Sequence, residues 1–306
     1  MNIISLFSGA GGLDLGLIRA GHKIIWANDN DSDSCETYRR NIGDHIICDD
    51  ISKINVNTIP EADVVVGGFP CQGFSMANRL RDSLDERNNL YRHFYNVIRE
   101  KRPAYFLAEN VRGILSLDNG NAIKKIVEDF TEAGYRVKYK SFNTAYYGIP
   151  QSRIRVIIAG TRADLADTND FHFPEPSHDK DTWVSIGKAL ETIPEPDIDN
   201  LLKNHVYSKY KVTNRNFTGH RQTDPDKPSP TILARGNGKG GVCAIQHPRN
   251  HRRMSVRESA IIQTFPIDFE FTGSMGSMYR QVGNAVPVNF AMQLGLKLKE
   301  LELIAI

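Results

Sequence analysis

Seven short strand-like runs, at residues 3–7, 24–27, 46–48, 64–66, 105–108, 137–142 and 156–159, divide the first 160 residues. Between them lie apolar residues at helical spacing: Leu13, Leu17 and Ile18, then Tyr91, Phe94, Tyr95 and Ile98, then Ile123, Ile126, Val127 and Phe130. Parallel strands need a crossover between them, most often a helix. The alternation therefore predicts an α/β fold, a doubly wound, Rossmann-like parallel sheet. The pattern fades after Gly160, where Pro, Asn, Asp, Gly and Lys dominate. Regularity returns at 255–263 and 288–303, both helical in period. These shifts predict a larger domain from 1–165 and 270–306, with 166–269 as a smaller, loop-rich domain.

Charge separates the same regions. Residues 203–253 hold 11 Lys and Arg against Asp224 and Asp226, a balance of +9, and since the whole chain carries +2 the remainder carries −7. One basic face on an acidic protein suits a polyanion, although a solvated lysine-rich lobe gives the same count. The four cysteines are far apart and include no Cys-x-x-Cys, against a disulfide framework or zinc site and in keeping with a reducing cytoplasm. The chain holds no apolar run long enough to span a membrane. Its start, Met-Asn-Ile-Ile-Ser-Leu-Phe, lacks a signal peptide's basic region.

Three stretches carry chemistry. Gly67-Gly-Phe-Pro-Cys-Gln-Gly-Phe-Ser75 follows the apolar run at 64–66, so Cys71 falls in a turn beyond a strand's carboxyl end. Open α/β sheets place their reactions there, and a thiol among turn formers suits a reacting thiolate better than a core cysteine. Phe7-Ser8-Gly9-Ala10-Gly11-Gly12-Leu13-Asp14 sits at a strand-to-helix junction, where glycines let a ligand approach the helix N-terminus. Asp29 follows 20 residues after Gly9, the spacing of a carboxylate that grips ribose hydroxyls in nucleoside-cofactor folds. The loop is not Gly-x-Gly-x-x-Gly, which disfavours a nicotinamide cofactor. Asp50 and Ile51 offer an acceptor and an aliphatic face for a purine; Asp50 equally suits the cap of a helix starting near Ser52.

Together these stretches resemble the cytosine-C5 DNA methyltransferases that use S-adenosylmethionine, over nearly the whole chain and in that family's order. Phe7-Ser-Gly-Ala-Gly-Gly resembles the cofactor loop and Gly68-Phe-Pro-Cys-Gln-Gly-Phe-Ser the nucleophile loop. Glu109-Asn110-Val111 is similar to the catalytic Glu-Asn-Val, and Gln151-Ser-Arg153-Ile-Arg155 to Gln-x-Arg-x-Arg. Arg257-Glu258 through Gln263-Thr264-Phe265-Pro266 resembles the family's next block, and Gly283-Asn284-Ala285-Val286 its closing motif. The departures are Asp29 where Glu is usual, Ile261 where Arg is usual and Thr264 where Gly is usual.

The resemblance implies a reaction. A Cys71 thiolate adds to C6 of cytosine and makes C5 nucleophilic, while Glu109 meets the ring nitrogen N3 and Arg155, with Arg153 beside it, meets O2. It implies cofactor contacts from Phe7, Ser8, Gly9, Ala10, Gly11, Gly12, Leu13, Asp29, Asp50, Ile51, Pro70, Leu90, Asn284, Ala285 and Val286. DNA contacts are expected from Gln72, Ser75, Arg81, Thr231, Arg235, Asn237 and Lys239, with 72–90 as a loop closing over an extruded base. No metal is expected. The implied setting is a cytoplasmic monomer that modifies double-stranded DNA, functionally paired with a restriction endonuclease. Two rivals are an RNA-acting branch, which typically carries a Cys-Phe-Thr tripeptide absent here, and a DNA-binding protein that kept only the fold.

Overall fold

The computed structural model describes residues 1–69, 86–196, 202–209, 222–234, 244–250 and 252–304. The chain alternates β1 (Asn2–Leu6), α1 (Gly12–Arg19), β2 (Lys23–Asp29), α2 (Ser32–Asn41), β3 (Ile46–Cys48), β4 (Val64–Gly67), α3 (Glu86–Lys101), β5 (Tyr105–Val111) and α4 (Asn121–Glu132). Then come β6 (Tyr135–Asn143), β7 (Gln151–Ser152), β8 (Ile154–Arg162), α5 (Ile186–Ala189), β9 (Ser229–Pro230), α6 (Val256–Ile262), α7 (Met275–Asn284) and α8 (Val288–Ile304).

All seven expected strands pair into one sheet, in the order β3-β2-β1-β4-β5-β8-β6. β3, β2, β1, β4 and β5 run parallel, and β8 lies antiparallel between β5 and β6. Successive strand residues point to opposite faces, and here both faces are covered. Ile3, Val64 and Val66 enter one core with Leu17, Phe290 and Leu294. Ile4 and Val65 enter the other, with Phe94, Phe106 and Phe130. That is why these strands read as unbroken apolar runs. No helix among the described residues is long and apolar enough to cross a membrane.

α8 brings the end of the described chain back against α1. A side-chain carbon at Gly16 would collide with Ala291 and the Val288 carbonyl, so glycine permits the close approach. The same packing sets residues 283–286 beside the glycine loop: a Cβ on Gly12 would lie 2.6 Å from the Val286 carbonyl.

A third core joins Ile186, Ile232, Ile245, Val256, Phe265 and Phe269 to Met278, Tyr279 and Val282 of α7. α7 carries Met275, Met278, Tyr279 and Val282 at helical spacing, although the sequence reading expects no helix there. α6 starts at a reciprocal capping box: Ser255 accepts from the Glu258 amide, and the Glu258 side chain accepts from the Ser255 amide.

Candidate active site

At β1 and β4 the strand order reverses: the chain leaves β1 toward β2 but leaves β4 toward β5. Loops and helices diverge at such a point and open a crevice beyond the strands' carboxyl ends. A cleft of about 830 Å³ lies there, within the roughly 300–1,000 Å³ typical of small-molecule sites.

One wall is the glycine loop. Phe7, Gly9 and Gly11 all have positive φ, at 57°, 55° and 87°. For Phe7 this is a sparsely populated conformation of the kind found at ligand sites. Space around Gly9 is open, with nothing within 4 Å of where a Cβ would stand. The Asp29 carboxylate at the end of β2 accepts from the Gly9 amide at 2.8 Å and the Asp31 amide at 2.9 Å. Burial raises its pKa and the backbone amides oppose the rise. Each carboxylate oxygen carries two lone pairs, so further donors can still be received. Asp31 caps α2 through the Ser34 amide and pairs with Arg280 at 2.9 Å.

Below this loop is a buried polar cluster. Asp14 accepts from Ser5 Oγ at 2.6 Å and from Tyr38 Oη at 2.8 Å, and Ser8 Oγ donates to Ser5 Oγ at 3.0 Å. Burial pushes the Asp14 pKa up to about 6, against the pull of its Ser5 and Tyr38 hydrogen bonds.

The opposite wall is built on β5 and β8. Glu109 Oε1 stands 2.6 Å from Arg155 Nε, yet neither buried atom makes a directional hydrogen bond. Their charges attract, while each retains hydrogen-bonding capacity. Glu109 Oε2 faces Gly68, where a Cβ would lie 3.2 Å away. Asn110 Nδ2 donates to the Phe69 carbonyl at 2.9 Å, in a buried position. The backbone leading toward Cys71 is thus fastened to β5 directly beside Glu109.

Arg153 has a different environment. Its side chain is 1% exposed and its two terminal nitrogens donate to the carbonyls of Ile232 and Gly283, each at 2.9 Å. Both arginines line the cleft, but Arg155 is the one in contact with Glu109.

Of the expected cofactor residues, Phe7, Ser8, Gly9, Ala10, Gly12, Leu13, Asp29, Leu90, Asn284, Ala285 and Val286 line this cleft. Gly11, Asp50 and Ile51 are not among the lining residues. Gly11 caps α1 instead, Ile51 is buried in the second core, and Asp50 accepts from the Ser52 amide at the start of a short 3-10 turn. Thr231 donates to the Ser152 carbonyl at 2.9 Å, and its successors Leu233 and Ala234 reach the cleft. Pro70, Cys71, Gln72, Ser75, Arg81, Arg235, Asn237 and Lys239 lie outside the described residues. Phe69 and Asn110, quoted in the motifs without a role of their own, line it too, and residues that the sequence reading passed over include Asp31, Ser34 and Arg280.

The model of the C-5 cytosine-specific DNA methylases matches residues 1–300. The chain belongs to that family. As a C5 DNA methylase, it is similar to the Type II methyltransferase M.NgoFVII of Neisseria gonorrhoeae, 40% identical over 95% of this chain and 84% of the relative. The Type II methyltransferase M.MthTI of Methanothermobacter thermautotrophicus is 37% identical over 98% of this chain and 97% of its own length. Among solved structures, an Escherichia coli prophage DNA modification methyltransferase superposes with a TM-score of 0.75 at 24% identity, covering 99% of each chain. The S. pombe Dnmt2 methyltransferase gives the same TM-score of 0.75 at 22% identity, covering 98% of this chain and 99% of its own. At these identities the two structures establish the fold, the doubly wound sheet expected from the strand pattern. The enzyme is therefore a DNA cytosine-5 methyltransferase.

Proposed function

We propose that this methyltransferase modifies C5 of a cytosine turned out of double-stranded DNA, using S-adenosylmethionine and a covalent bond from Cys71, as the modification half of a restriction-modification system. The observation that carries the reading is the Glu109–Arg155 pair, 2.6 Å apart at one side of the cleft, facing the glycine loop and Asp29 on the other. When bound, S-adenosylmethionine supplies an electrophilic sulfonium methyl group that a C5 carbanion can take.

The residues present fit that cofactor. Asp29 offers a buried carboxylate with spare lone pairs to ribose hydroxyls, and the open backbone at Gly9 admits a close ligand. Asn284, Ala285 and Val286 close the far side.

The chain's own residues then divide the work on the base. Cys71 adds as a thiolate to C6 and the ring's electrons move to C5; once C5 carries the methyl group, its proton leaves to a base and the C6–sulfur bond breaks, returning the thiolate and the aromatic ring. Glu109 holds a proton at N3 while the adduct forms, which lowers the cost of placing charge on the ring. Arg155 offers its fixed cationic fork to O2. Buried in a stacked duplex, C6 and N3 are out of reach, which is why the base must leave the helix. The region 166–269 serves as the target-recognition domain, with Gln72, Ser75, Arg81, Thr231, Arg235, Asn237 and Lys239 on the DNA side. The whole chain, with its catalytic domain at 1–165 and 270–306, acts as a monomer in the cytoplasm.

Duplex DNA carrying 5-fluorocytosine tests this reading. Fluorine cannot leave C5 as a proton does, so the thiol adduct cannot be resolved. Incubation with S-adenosylmethionine should give a protein–DNA complex that survives denaturing electrophoresis, absent from Cys71→Ser and slowed at least about a hundredfold in Glu109→Gln. A complex of equal yield from Cys71→Ser would overturn it.

A further inference from the structure

Two buried glutamines form a relay between the walls of the cleft. Gln151 and Gln263 are both fully buried. Gln151 Oε1 accepts from the Ile232 amide at 2.9 Å, and Gln151 Nε2 donates to Gln263 Oε1 at 2.7 Å. Gln263 Nε2 then donates to the carbonyls of Val282, at 2.7 Å, and Ala285, at 3.1 Å. The ends of the relay belong to different parts of the cleft: Leu233 and Ala234 follow Ile232, whereas Ala285 borders the cofactor side.

The polarity of this chain of bonds is fixed from both ends. An N–H at Ile232 requires an oxygen from Gln151, and two carbonyls near Gln263 require its NH2. Turning either amide would place oxygen against oxygen or nitrogen against nitrogen. Arg153 crosses the same gap in parallel, joining the Ile232 and Gly283 carbonyls.

We infer that Gln151 and Gln263 are positioning residues for the methyl-transfer reaction, their amide relay setting the separation between the DNA-side segment 231–234 and the cofactor-side loop 283–286. The inference deepens the proposed function and rests on it for the assignment of the two sides. Neither glutamine contacts the reacting atoms. Losing Gln151 releases the DNA side first, because Gln263 still holds Val282 and Ala285. Losing Gln263 releases the cofactor side first, because Gln151 still accepts from the Ile232 amide.

Gln151→Glu supplies a readout that a merely structural residue would not. A protonated glutamic acid reproduces the native pattern, with oxygen toward Ile232 and O–H toward Gln263. An ionised one sets oxygen against Gln263 Oε1. The charged groups around the relay are Arg153 on the same stretch, with the Glu109–Arg155 pair beyond it. From α6, Arg257 turns to the Lys203, Pro266 and Phe269 carbonyls and Glu258 to Arg252; from α7, Arg280 turns to Asp31. Burial raises the pKa of the introduced acid and Arg153 lowers it.

The experiment measures steady-state methyl transfer to duplex DNA between pH 6 and 8.5 for the native chain, Gln151→Glu, Gln151→Met and Gln263→Met. The native chain with its Cys71→Ser control reports separately on the proposed reaction. Gln151→Met should raise KM for DNA at least about tenfold, the scale of one buried unpaired group, with KM for S-adenosylmethionine near native. Gln263→Met should raise KM for S-adenosylmethionine on the same scale, with the smaller change in KM for DNA. Gln151→Glu should recover toward native as the pH falls, relative to the flat ratio of Gln151→Met. The methionine variants keep the shape without a buried charge and serve if Gln151→Glu does not fold above neutral pH. Native KM values in Gln151→Met, or a lowered melting temperature with unchanged KM for DNA, would overturn the inference while leaving Cys71 chemistry intact.

Discussion

The side-chain amide of Asn110 donates to the Phe69 carbonyl across 2.9 Å, holding the backbone two residues before Cys71 against the strand that carries Glu109. A nucleophile and a proton-holding acid serve one base only if their spacing is kept, and misplacement by about 1 Å can cost a hundredfold in rate. Asn110→Ala should lower kcat by about tenfold to a hundredfold, with affinity for S-adenosylmethionine near native. Single-turnover methyl transfer beside calorimetric cofactor binding checks this; a native single-turnover rate would contradict it.

The two arginines separate by what they hold. Arg153→Ala leaves the buried Ile232 and Gly283 carbonyls without their donors, a loss of about 2–5 kcal/mol of stability. Arg155→Ala removes the partner of Glu109. It should lower kcat by about a hundredfold or more with a smaller change in stability. Thermal melts and kcat measured on both variants distinguish the two: the larger melting shift belongs to Arg153 and the larger rate loss to Arg155.

Asp14 makes stability depend on pH. Its folded-state pKa is raised from 3.8 to about 6 by burial, so the folded chain binds the extra proton between those values. Stability is therefore lost as pH rises through that window, on the order of 3 kcal/mol in all. Asp14→Asn keeps a neutral side chain at every pH. Denaturant titrations at pH 4 and pH 7 should show the native chain losing stability relative to Asp14→Asn as the pH rises. A pH-independent difference would contradict the assignment.

Thr264 stands at φ 60°, a backbone region that glycine enters freely and β-branched residues resist. Its hydroxyl offsets the strain: Oγ1 donates to the Gln263 carbonyl at 2.7 Å and accepts from the Asn289 amide at 2.9 Å, near the start of α8. Thr264→Val keeps the strain and loses both bonds, and should cost about 1–3 kcal/mol. In Thr264→Gly, relief of strain and loss of the bonds nearly cancel, leaving stability within about 1 kcal/mol of native. Chemical denaturation of the two variants tests that ordering.

Much of the framework was readable from local pattern. The central strands were visible because a sheet covered on both faces demands unbroken apolar runs such as Val64-Val65-Val66, whereas edge strand β6, largely exposed, showed only Val137, Tyr139 and Phe142 among polar residues. The Gly9 loop and Asp29 were visible because strand ends and glycine turns mark where an open sheet binds ligands, and Glu109 through the resemblance of Glu109-Asn110-Val111 to a family motif. Roles set by distant partners were not. Nothing near Gln151 or Gln263 in the chain says that they meet, 112 positions apart. Arg153 and Arg155 look alike by alternation; the carbonyls of Ile232 and Gly283 on one and Glu109 on the other distinguish them. Asp50 had two readings, and the described geometry gives it the Ser52 amide. α7 was equally legible, with Met275, Met278, Tyr279 and Val282 at helical spacing, and was missed.

Transfer of labelled methyl from S-adenosylmethionine to duplex DNA, with the native chain and Cys71→Ser side by side and the modified base mapped, tests the central claim most directly. The account predicts label on C5 of cytosine within a short recurring sequence, and none with Cys71→Ser. Label that persists in Cys71→Ser, or that appears on another atom or only on RNA, would contradict it.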